Sequence, residues 1–153
     1  MLLSCFTGLA FSDIKELAPE HLATDMQGHR WIRKPRRKTG NMCNIPLLKI
    51  PEQILERYRT DPECVAHNVL LPVTSNQKMN VYLKELADIC GIRKNLSTHC
   101  ARHFFATYTL AHGVSIESVA KMLGHSNTNM TRHYAKVLDQ TILREMSKSP
   151  EEF

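Results

Sequence analysis

Three short segments in the second half of the chain carry residue types suited to chemistry at a phosphate group. They are Thr98-His99-Cys100-Ala101-Arg102-His103, Leu123-Gly124-His125 and the single residue Tyr134. His99 and Arg102 share one face of a predicted helix. Ser97 or Thr98 serves as its N-cap, and a helix N-terminus favours anions. Cationic donors, an anion-friendly helix end and a phenol together predict phosphoryl transfer to a tyrosine.

The composition is that of one globular domain with a small excess of positive charge. The 153 residues are 42% hydrophobic and 23% charged, the net charge is +5 and the isoelectric point is near 9.0. This length can bury a sizeable core, and the charge favours a polyanionic partner. No apolar run approaches the roughly 20 residues of a membrane span, and the start lacks the basic flank of a signal peptide. The opening residues resemble the middle of a helix, which predicts that Met1 is a start placed inside a longer chain.

The cysteines favour a reducing compartment and no metal site. The five are Cys5, Cys43, Cys64, Cys90 and Cys100. Their odd number and irregular spacing argue against a disulfide framework and predict location in the cytosol. The same spacing argues against zinc, although the chain has eight histidines. We therefore expect no metal and no other cofactor.

Hydrophobic periodicity predicts a mostly helical chain with one small sheet. A helix capped by Ser12-Asp13 precedes Pro19, and residues 24–50 have the turns and apolar segments of a hairpin or meander. Helices are predicted from Pro51 to Tyr58, over 76–90, 98–112, 116–123 and 128–137, and from Asp139 to about Ser147, with a short strand over 69–72. The fold class is mainly α with a small antiparallel β-sheet (α+β), in a single domain over residues 1–153.

Five motifs, in this order, resemble those of a known enzyme family. They are Thr7-Gly8-Leu9-Ala10-Phe11-Ser12-Asp13, a basic hairpin ending in Arg36-Arg37-Lys38-Thr39, His99-x-x-Arg102, Leu123-Gly124-His125 and Tyr134. Through them the chain resembles the catalytic domain of tyrosine recombinases, the phage integrase family, and most of all the integrases of conjugative transposons and related mobile elements. The order across nearly the whole chain makes the resemblance specific, because Leu-Gly-His alone recurs by chance. The family's upstream DNA-binding domains are expected to be absent from this chain.

The resemblance implies metal-independent exchange of DNA strands. A tyrosine hydroxyl attacks a phosphodiester of double-stranded DNA, which leaves a 3′-phosphotyrosine and a free 5′-hydroxyl, and another strand later reverses the step. A free phenol has a pKa near 10, so it needs a base or a strong positive potential in order to attack. The phosphorane gathers negative charge, which fixed cationic donors stabilise without Mg²⁺.

The resemblance also assigns catalytic roles to five residues. Tyr134 is the expected nucleophile, and Arg102 holds the phosphate with a bidentate geometry that lysine cannot copy. His99 and His125 contact the same phosphate or move protons to and from Tyr134. Lys38 resembles the hairpin lysine that protonates the leaving 5′ oxygen.

Other cations and histidines near the motifs have plainer expected roles. The cationic run of the hairpin also fits a solvated face that follows the DNA backbone, with Arg33, Lys34 and Arg37 as its contacts. Both roles are compatible, because one strand face can enter the site while the other follows DNA. His103 and His133 lie beside motif residues but off the predicted face, so we expect them to be structural.

The sequence departs from the family at Ala10, where an arginine is expected. Loss of such a donor typically costs about 10²–10³ in rate. We hypothesise that Arg36 replaces it, because residues two apart in a strand point to one face. Arg36 and Lys38 would then enter the site together while Arg37 points away. Asp13, the acidic residue of the same motif, would serve only in capping.

Three further functions fit parts of the pattern. A catalytically impaired DNA-binding module of the same fold would explain Ala10, and a DNA topoisomerase would use the same chemistry as a monomer. A metal-dependent nuclease would need clustered carboxylates, whereas Asp13, Asp88 and Asp139 fall on unrelated segments. For the recombinase, we expect a bacterial cytoplasmic, nucleoid-associated protein that contacts no membrane. The isolated domain is expected to be a monomer, and copies are expected to assemble on DNA through the last helix.

Overall fold

The computed structural model describes residues 1–135 and residue 147. The helices are α1 (Leu2–Thr7), α2 (Phe11–Lys15), α3 (Lys49–Arg57), α4 (Pro62–His67), α5 (Asn76–Ile89), α6 (Thr98–Ala111), α7 (Ile116–Leu123) and α8 (Asn129–Arg132). A 3₁₀ turn, Pro19–His21, precedes an antiparallel sheet in the order β1 (Leu22–Thr24), β2 (Arg30–Pro35) and β3 (Met42–Pro46). The predicted class, mainly α with a small antiparallel sheet, is confirmed.

A close corner between α1 and α2 sets their position against α6. α1 ends at Gly8, whose φ is 68°. A Cβ on Gly8 would lie 2.4 Å from Phe105 Cδ1 and 2.7 Å from Leu123 Cδ2, so only glycine permits this approach. The hydroxyl of Ser4 donates to the carbonyl oxygen of Leu9 at 2.7 Å and braces the corner from inside. The Gly8 carbonyl is thereby brought to the buried face of α6.

The sheet and the helices form two hydrophobic clusters that meet at the end of α7. Ile32 in β2 lies opposite Ile45 in β3, and both side chains are buried with those of α1, α2 and α3. A second cluster joins α6 and α7 through Phe105, Val119 and Leu123. Because α7 packs on β3 as well as on α6, its C-terminal end lies between the sheet and α6.

Several predicted helices are confirmed almost to the residue. Residues 116–123 are helical as predicted, and α5 and α6 end one residue before the predicted 90 and 112. Of the helix predicted over 128–137, only residues 129–132 form α8, residues 133–135 do not continue it, and 136–137 lie outside the described residues. The helix predicted from Asp139 to Ser147 also lies outside them, apart from residue 147 itself. Within the described part of the chain, no helix combines the length and the apolar character needed to cross a membrane.

The predictions fail where a local signal has two meanings. The helix predicted from Pro51 ends before Asp61, but α4, which was not predicted, begins there: Asp61 is its N-cap, and the carboxylate accepts the N–H groups of Glu63 and Cys64. The strand predicted over 69–72 does not form. Its Leu70 N–H donates to the carbonyl oxygen of Leu17, so this segment is held against α2 rather than in the sheet.

Candidate active site

Arg102 lies at the centre of the candidate site, on the buried face of α6. It is 3% exposed. Its Nη1 donates to the carbonyl oxygen of Gly8 at 2.6 Å, and its Nη2 donates to that of Leu123 at 2.7 Å. A guanidinium has five N–H donors, so these bonds fix its plane and leave donors for a ligand. Burial lowers the pKa of Arg102 and the charge of Arg36 lowers it further, yet arginine stays protonated in proteins.

His125 is placed against Arg102 by the turn that ends α7. Gly124 has a left-handed φ of 62°, and the next residue brings its Nε2 within 3.2 Å of Arg102 Nη2. Because a guanidinium only donates, Nε2 accepts and Nδ1 carries the proton. That proton is donated to Oγ1 of the fully buried Thr131, 2.8 Å away. Burial, followed by the charges of Arg102 and Arg36, lowers the pKa of His125 to about 4, so the imidazole is neutral at pH 7.

The low pKa of His125 predicts a loss of stability in mild acid. An unfolded histidine has a pKa near 6.5, so between pH 6.5 and about 4 the unfolded chain binds a proton that the folded chain does not. The free energy of unfolding therefore falls as the pH drops through this window. The His125→Gln variant lacks that proton and should show a shallower fall in denaturant unfolding curves. The pKa values of His21 and His103 are also lowered, and these two histidines contribute the same pH dependence to the wild type and the variant. If the free energy of unfolding falls equally steeply with pH in both proteins, His125 is not the group responsible.

Arg36 approaches Arg102 and His125 from the side of the hairpin. Its aliphatic part lies over Gly124, since a Cβ there would be 2.7 Å from Arg36 Cδ and 2.9 Å from Cγ. The charge of Arg36 lowers the pKa values of Arg102 and His125, as expected for neighbouring groups. Its Nε lies 3.8 Å from Oδ2 of Asp13, which is 1% exposed. The hairpin thus supplies a second cation beside Arg102.

Asp13 holds the hairpin and does not cap a helix, so the predicted capping role is wrong. The N-cap of α2 is Ala10, and Asp13 lies inside the helix. Its Oδ1 accepts the backbone N–H of Arg37 at 2.9 Å, while Oδ2 faces Arg36. Among the described residues, Asp13 Oδ2 and Arg36 Nε are the buried side-chain atoms without a hydrogen-bond partner. The carboxylate therefore anchors the base of the hairpin and partly offsets the charge of Arg36.

Strand alternation predicts that Lys38 shares the face of Arg36, but Lys38 does not lie in a strand. The N–H of Arg36 donates to the carbonyl oxygen of Asn41 at 2.9 Å, and the N–H of Gly40 donates back to Arg36 at 2.8 Å. These bonds close the hairpin, so residues 37–39 form a turn rather than a strand. Lys38 is exposed at this turn.

The other hairpin cations divide between the two faces of the sheet. Lys34 is 5% exposed and lies opposite the buried Cys43, which corrects its expected role as a solvated contact to the DNA backbone. The alternation of β2 places it on the inner face, two residues before Arg36. Arg33 and Arg37 are exposed, and Arg37 pairs with Glu16 at 2.9 Å.

Gly124 is required by the close packing of Arg36 and Cys43. A Cβ there would lie 2.7 Å from Arg36 Cδ and 2.8 Å from Cys43 Sγ, at a φ of 62°. Alanine in the left-handed region costs about 1–2 kcal/mol, and displacement of these neighbours adds about 1–3 kcal/mol. We expect Gly124→Ala to lower the free energy of unfolding by that sum in denaturant titrations. Gly40→Ala is the control, since Gly40 has a φ of 71° and no atom within 4 Å of such a Cβ. Equal losses in the two variants would contradict the packing described here.

Tyr134 follows α8 and lies half-buried against α6 and the end of α7. Its ring centroid is 4.9 Å from that of His103, with the planes at 74°, and 6.4 Å from that of His125, with the planes at 10°. It packs on the cluster that joins α6 to α7. The phenol is also among the groups that raise the pKa of Arg102. Tyr134, His125 and Arg102 therefore lie close together.

His99 lies at the edge of this group rather than on the face of Arg102. It is exposed in the first turn of α6, and its ring centroid is 4.4 Å from that of His103. Residues four apart on a helix stand one above the other, which gives His99 and His103 a common row. His99 thus contacts the group around Tyr134 through His103.

Sequence reasoning missed three residues of this neighbourhood. His103 contacts the ring of Tyr134, Thr131 holds the Nδ1 side of His125, and Asp13 anchors the hairpin. The spacing of four residues from His99 was a signal for His103. Nothing in the local sequence marks Thr131, because its partner is chosen by the way α8 folds back on α7.

The arrangement is suited to an anion. Two guanidinium groups, a neutral imidazole and a phenol lie close together, and the guanidinium groups are donors that match a phosphate. In residues 1–135 and 147, no three His, Cys, Asp or Glu side chains lie close enough together to hold a metal ion.

Sequence comparisons identify relatives for nearly the whole chain. The model of the phage integrase family matches residues 1–141. A tyrosine recombinase of Pseudothermotoga lettingae is 42% identical over 139 residues, which cover 88% of this chain and 47% of that protein. The tyrosine recombinase XerD of Listeria innocua is 40% identical over 140 residues, with 86% and 46% covered. The chain spans about half the length of these curated relatives.

Solved structures share the fold. The XerH site-specific recombinase bound to a palindromic difH substrate matches with a TM-score of 0.74 at 19% identity, over 95% of this chain and 43% of that one. The Tn1549 transposon integrase in complex with a circular intermediate DNA matches with a TM-score of 0.72 at 19% identity, over 97% and 57%. With the family match over residues 1–141, the chain belongs to the phage integrase family and has the fold of a tyrosine recombinase catalytic domain.

Proposed function

We propose that this chain breaks and rejoins DNA strands at specific sites, and so integrates or excises a mobile element. The observation that carries the proposal is the position of Tyr134 beside the buried Arg102 and the half-buried His125. A nucleophile next to a fixed guanidinium and a neutral imidazole is the arrangement that transfer of a phosphoryl group to tyrosine requires. Membership of the family supports site-specific recombination in general.

In the proposed step, Oη of Tyr134 bonds to the scissile phosphorus while the bond from phosphorus to the 5′ oxygen breaks. The phenolic proton passes to His99, whereas His125, with a pKa of about 4, stays neutral beside Arg102. Lys38, on the exposed turn of the hairpin, protonates the leaving 5′ oxygen. The product is a 3′-phosphotyrosine, and attack by the 5′-hydroxyl of another strand reverses the step and frees the enzyme. No metal enters this balance, because the protein supplies the cations.

Arg102 and Arg36 are the proposed cations for the nonbridging oxygens. Arg102 is fixed by two backbone carbonyls before any ligand arrives, so little reorganisation is needed in the transition state. Arg36 stands in for the arginine that the family has at the position of Ala10. Its support is its place over Gly124 and its influence on the pKa values of Arg102 and His125.

Double-stranded DNA is the proposed partner. The net charge is +5, and Arg33, Arg37 and Lys38 are exposed on or beside the hairpin, where they can contact phosphates. The Tn1549 integrase was solved in complex with a circular intermediate DNA, the XerH recombinase bound to a palindromic difH substrate, and a lambda integrase dimer bound to a COC' core site. We propose further that copies of the chain assemble on DNA through the segment 139–147, which has apolar residues at helical spacing.

The test of the proposed function is covalent capture of DNA. Nicked duplexes from the DNA that flanks the coding gene are incubated with the chain, so that cleavage releases a short fragment and traps the intermediate. We expect an SDS-resistant protein–DNA adduct that forms equally well in EDTA. DNA binding without an adduct would identify an impaired binding module. Loss of activity in EDTA would identify a metal-dependent nuclease, and plasmid relaxation without recombination would identify a topoisomerase.

A further inference from the structure

His103, on α6, packs its ring against the phenol of Tyr134. It is half-buried, and its ring meets the tyrosine ring edge to face, at 4.9 Å and 74°. His125 lies nearly parallel to the same phenol, at 6.4 Å and 10°. His133, the preceding residue in the chain, lies at 5.9 Å and 76°. Three imidazoles, one on α6 and the others just after α7 and α8, therefore surround the phenol.

The backbone alone holds Tyr134 weakly. α8 has four residues, and its N-cap, Thr128, makes no side-chain capping bond. The N–H of Tyr134 donates to the carbonyl oxygen of Thr131 at 2.9 Å, and Thr131 is the buried residue of α8. A helix this short has little intrinsic stability. The direction of the phenol is therefore set by side-chain packing, from the cluster that joins α6 to α7 and from the imidazole rings around it.

His103 is an uncharged packing surface at neutral pH. Burial lowers its pKa first, and the positive charges of His99, His133, Arg102 and Lys94 lower it further. A neutral imidazole does not compete with Arg102 for a phosphate. Its edge-to-face contact is the geometry that aromatic rings prefer.

We propose that His103 is a positioning residue, whose ring holds the phenol of Tyr134 so that the hydroxyl points at the phosphate bound by Arg102 and Arg36. It touches the ring of the nucleophile, contacts no DNA and carries no proton in the reaction. This inference rests on the proposed function and adds to it a residue that sequence reasoning treats as structural.

The test compares two substitutions of His103 in single-turnover adduct formation at saturating nicked duplex. In His103→Ala the phenol loses its support, and misplacement of a reacting group can cost about 10²-fold in rate. We expect that loss with an unchanged Kd for DNA. His103→Phe keeps a flat ring on the phenol and should recover most of the rate, with a pH–rate profile that overlays that of the wild type.

A matched control lies on the same helix. His112 also packs its ring on a tyrosine, at 4.0 Å from Tyr108, but it lies about 13 Å further along α6. His112→Ala should therefore leave the rate unchanged, and an equal loss there would overturn the inference. A wild-type rate in His103→Ala would do the same.

Two other outcomes would also overturn it. A His103→Phe variant as slow as the alanine variant, with an altered pH–rate profile, would make His103 a proton carrier. A weaker Kd with an unchanged maximal rate would make it a DNA contact. If the wild-type chain forms no adduct, the proposed function fails, and NMR of the Tyr134 ring still tests the contact. Ring resonances that are identical in wild type and His103→Ala would then refute it.

Discussion

Replacing Tyr134 with phenylalanine is expected to reduce covalent capture of DNA to below detection, while the fold and the Kd for DNA stay unchanged. Phenylalanine keeps the ring that packs against His103 and His125 but removes the oxygen that bonds to phosphorus. The measurement is the fraction of nicked duplex that migrates with protein in SDS gels. Binding is followed in parallel by anisotropy of a labelled duplex.

Tyr108 provides the control for this substitution. It lies on α6 with an exposed ring stacked between Phe104 and His112. Tyr108→Phe removes a phenolic oxygen from the same chain and should leave adduct formation unchanged. Adduct that persists in Tyr134→Phe, or disappears in Tyr108→Phe, would assign the nucleophile to another residue.

Removal of Arg36 should have the second largest effect. If Arg36 supplies the charge missing at Ala10, Arg36→Ala should slow adduct formation about 10²–10³-fold at saturating DNA. Arg37→Ala should leave the maximal rate unchanged, because its side chain is exposed and paired with Glu16. If Arg37 contacts a phosphate, its replacement should weaken DNA binding and reduce the slope of log Kd against log salt concentration by about one. Equal effects of the two substitutions on the rate would contradict the replacement.

Stability is the necessary control for Arg36. Removing one member of a buried ion pair typically costs about 3–5 kcal/mol, and Arg36→Ala leaves the carboxylate of Asp13 without its partner. The double variant Asp13→Asn with Arg36→Ala removes that unpaired charge, and the new amide oxygen can still accept the N–H of Arg37. We expect the Tm of the double variant to return towards the wild-type value, while the rate of adduct formation stays low. Recovery of the rate together with stability would show that Arg36 is structural.

The sequence predicts the parts of the fold that local signals determine. The residues of α6 and α7 have apolar side chains at helical spacing, and Gly113 and Gly124 follow their ends, so these helices were predicted nearly in full. The corner at Gly8 could not be foreseen, because its need for glycine comes from Phe105 and Leu123, which are distant in the chain. α4 was missed because an Asp-Pro pair can end one helix or begin the next.

In the candidate site, too, local sequence predicts some residues, while contacts between distant parts of the chain determine the others. The ordered motifs predict Arg102, His125 and Tyr134 as site residues, and these three side chains lie close together in the structure. Strand alternation would have paired Arg36 with Lys38, but the turn begins at residue 37 and leaves Lys38 exposed. The contact of His103 with the tyrosine depends on how the chain after α7 folds back over α6, which no local pattern encodes.

The most direct test of the central claim is to locate the covalent bond itself. The trapped adduct is digested with protease and nuclease, and the residue that carries the nucleotide is identified by mass spectrometry. The proposed mechanism predicts a nucleotide joined through its 3′-phosphate to the phenolic oxygen of Tyr134. A nucleotide on any other residue, or one joined through a 5′-phosphate, would contradict it.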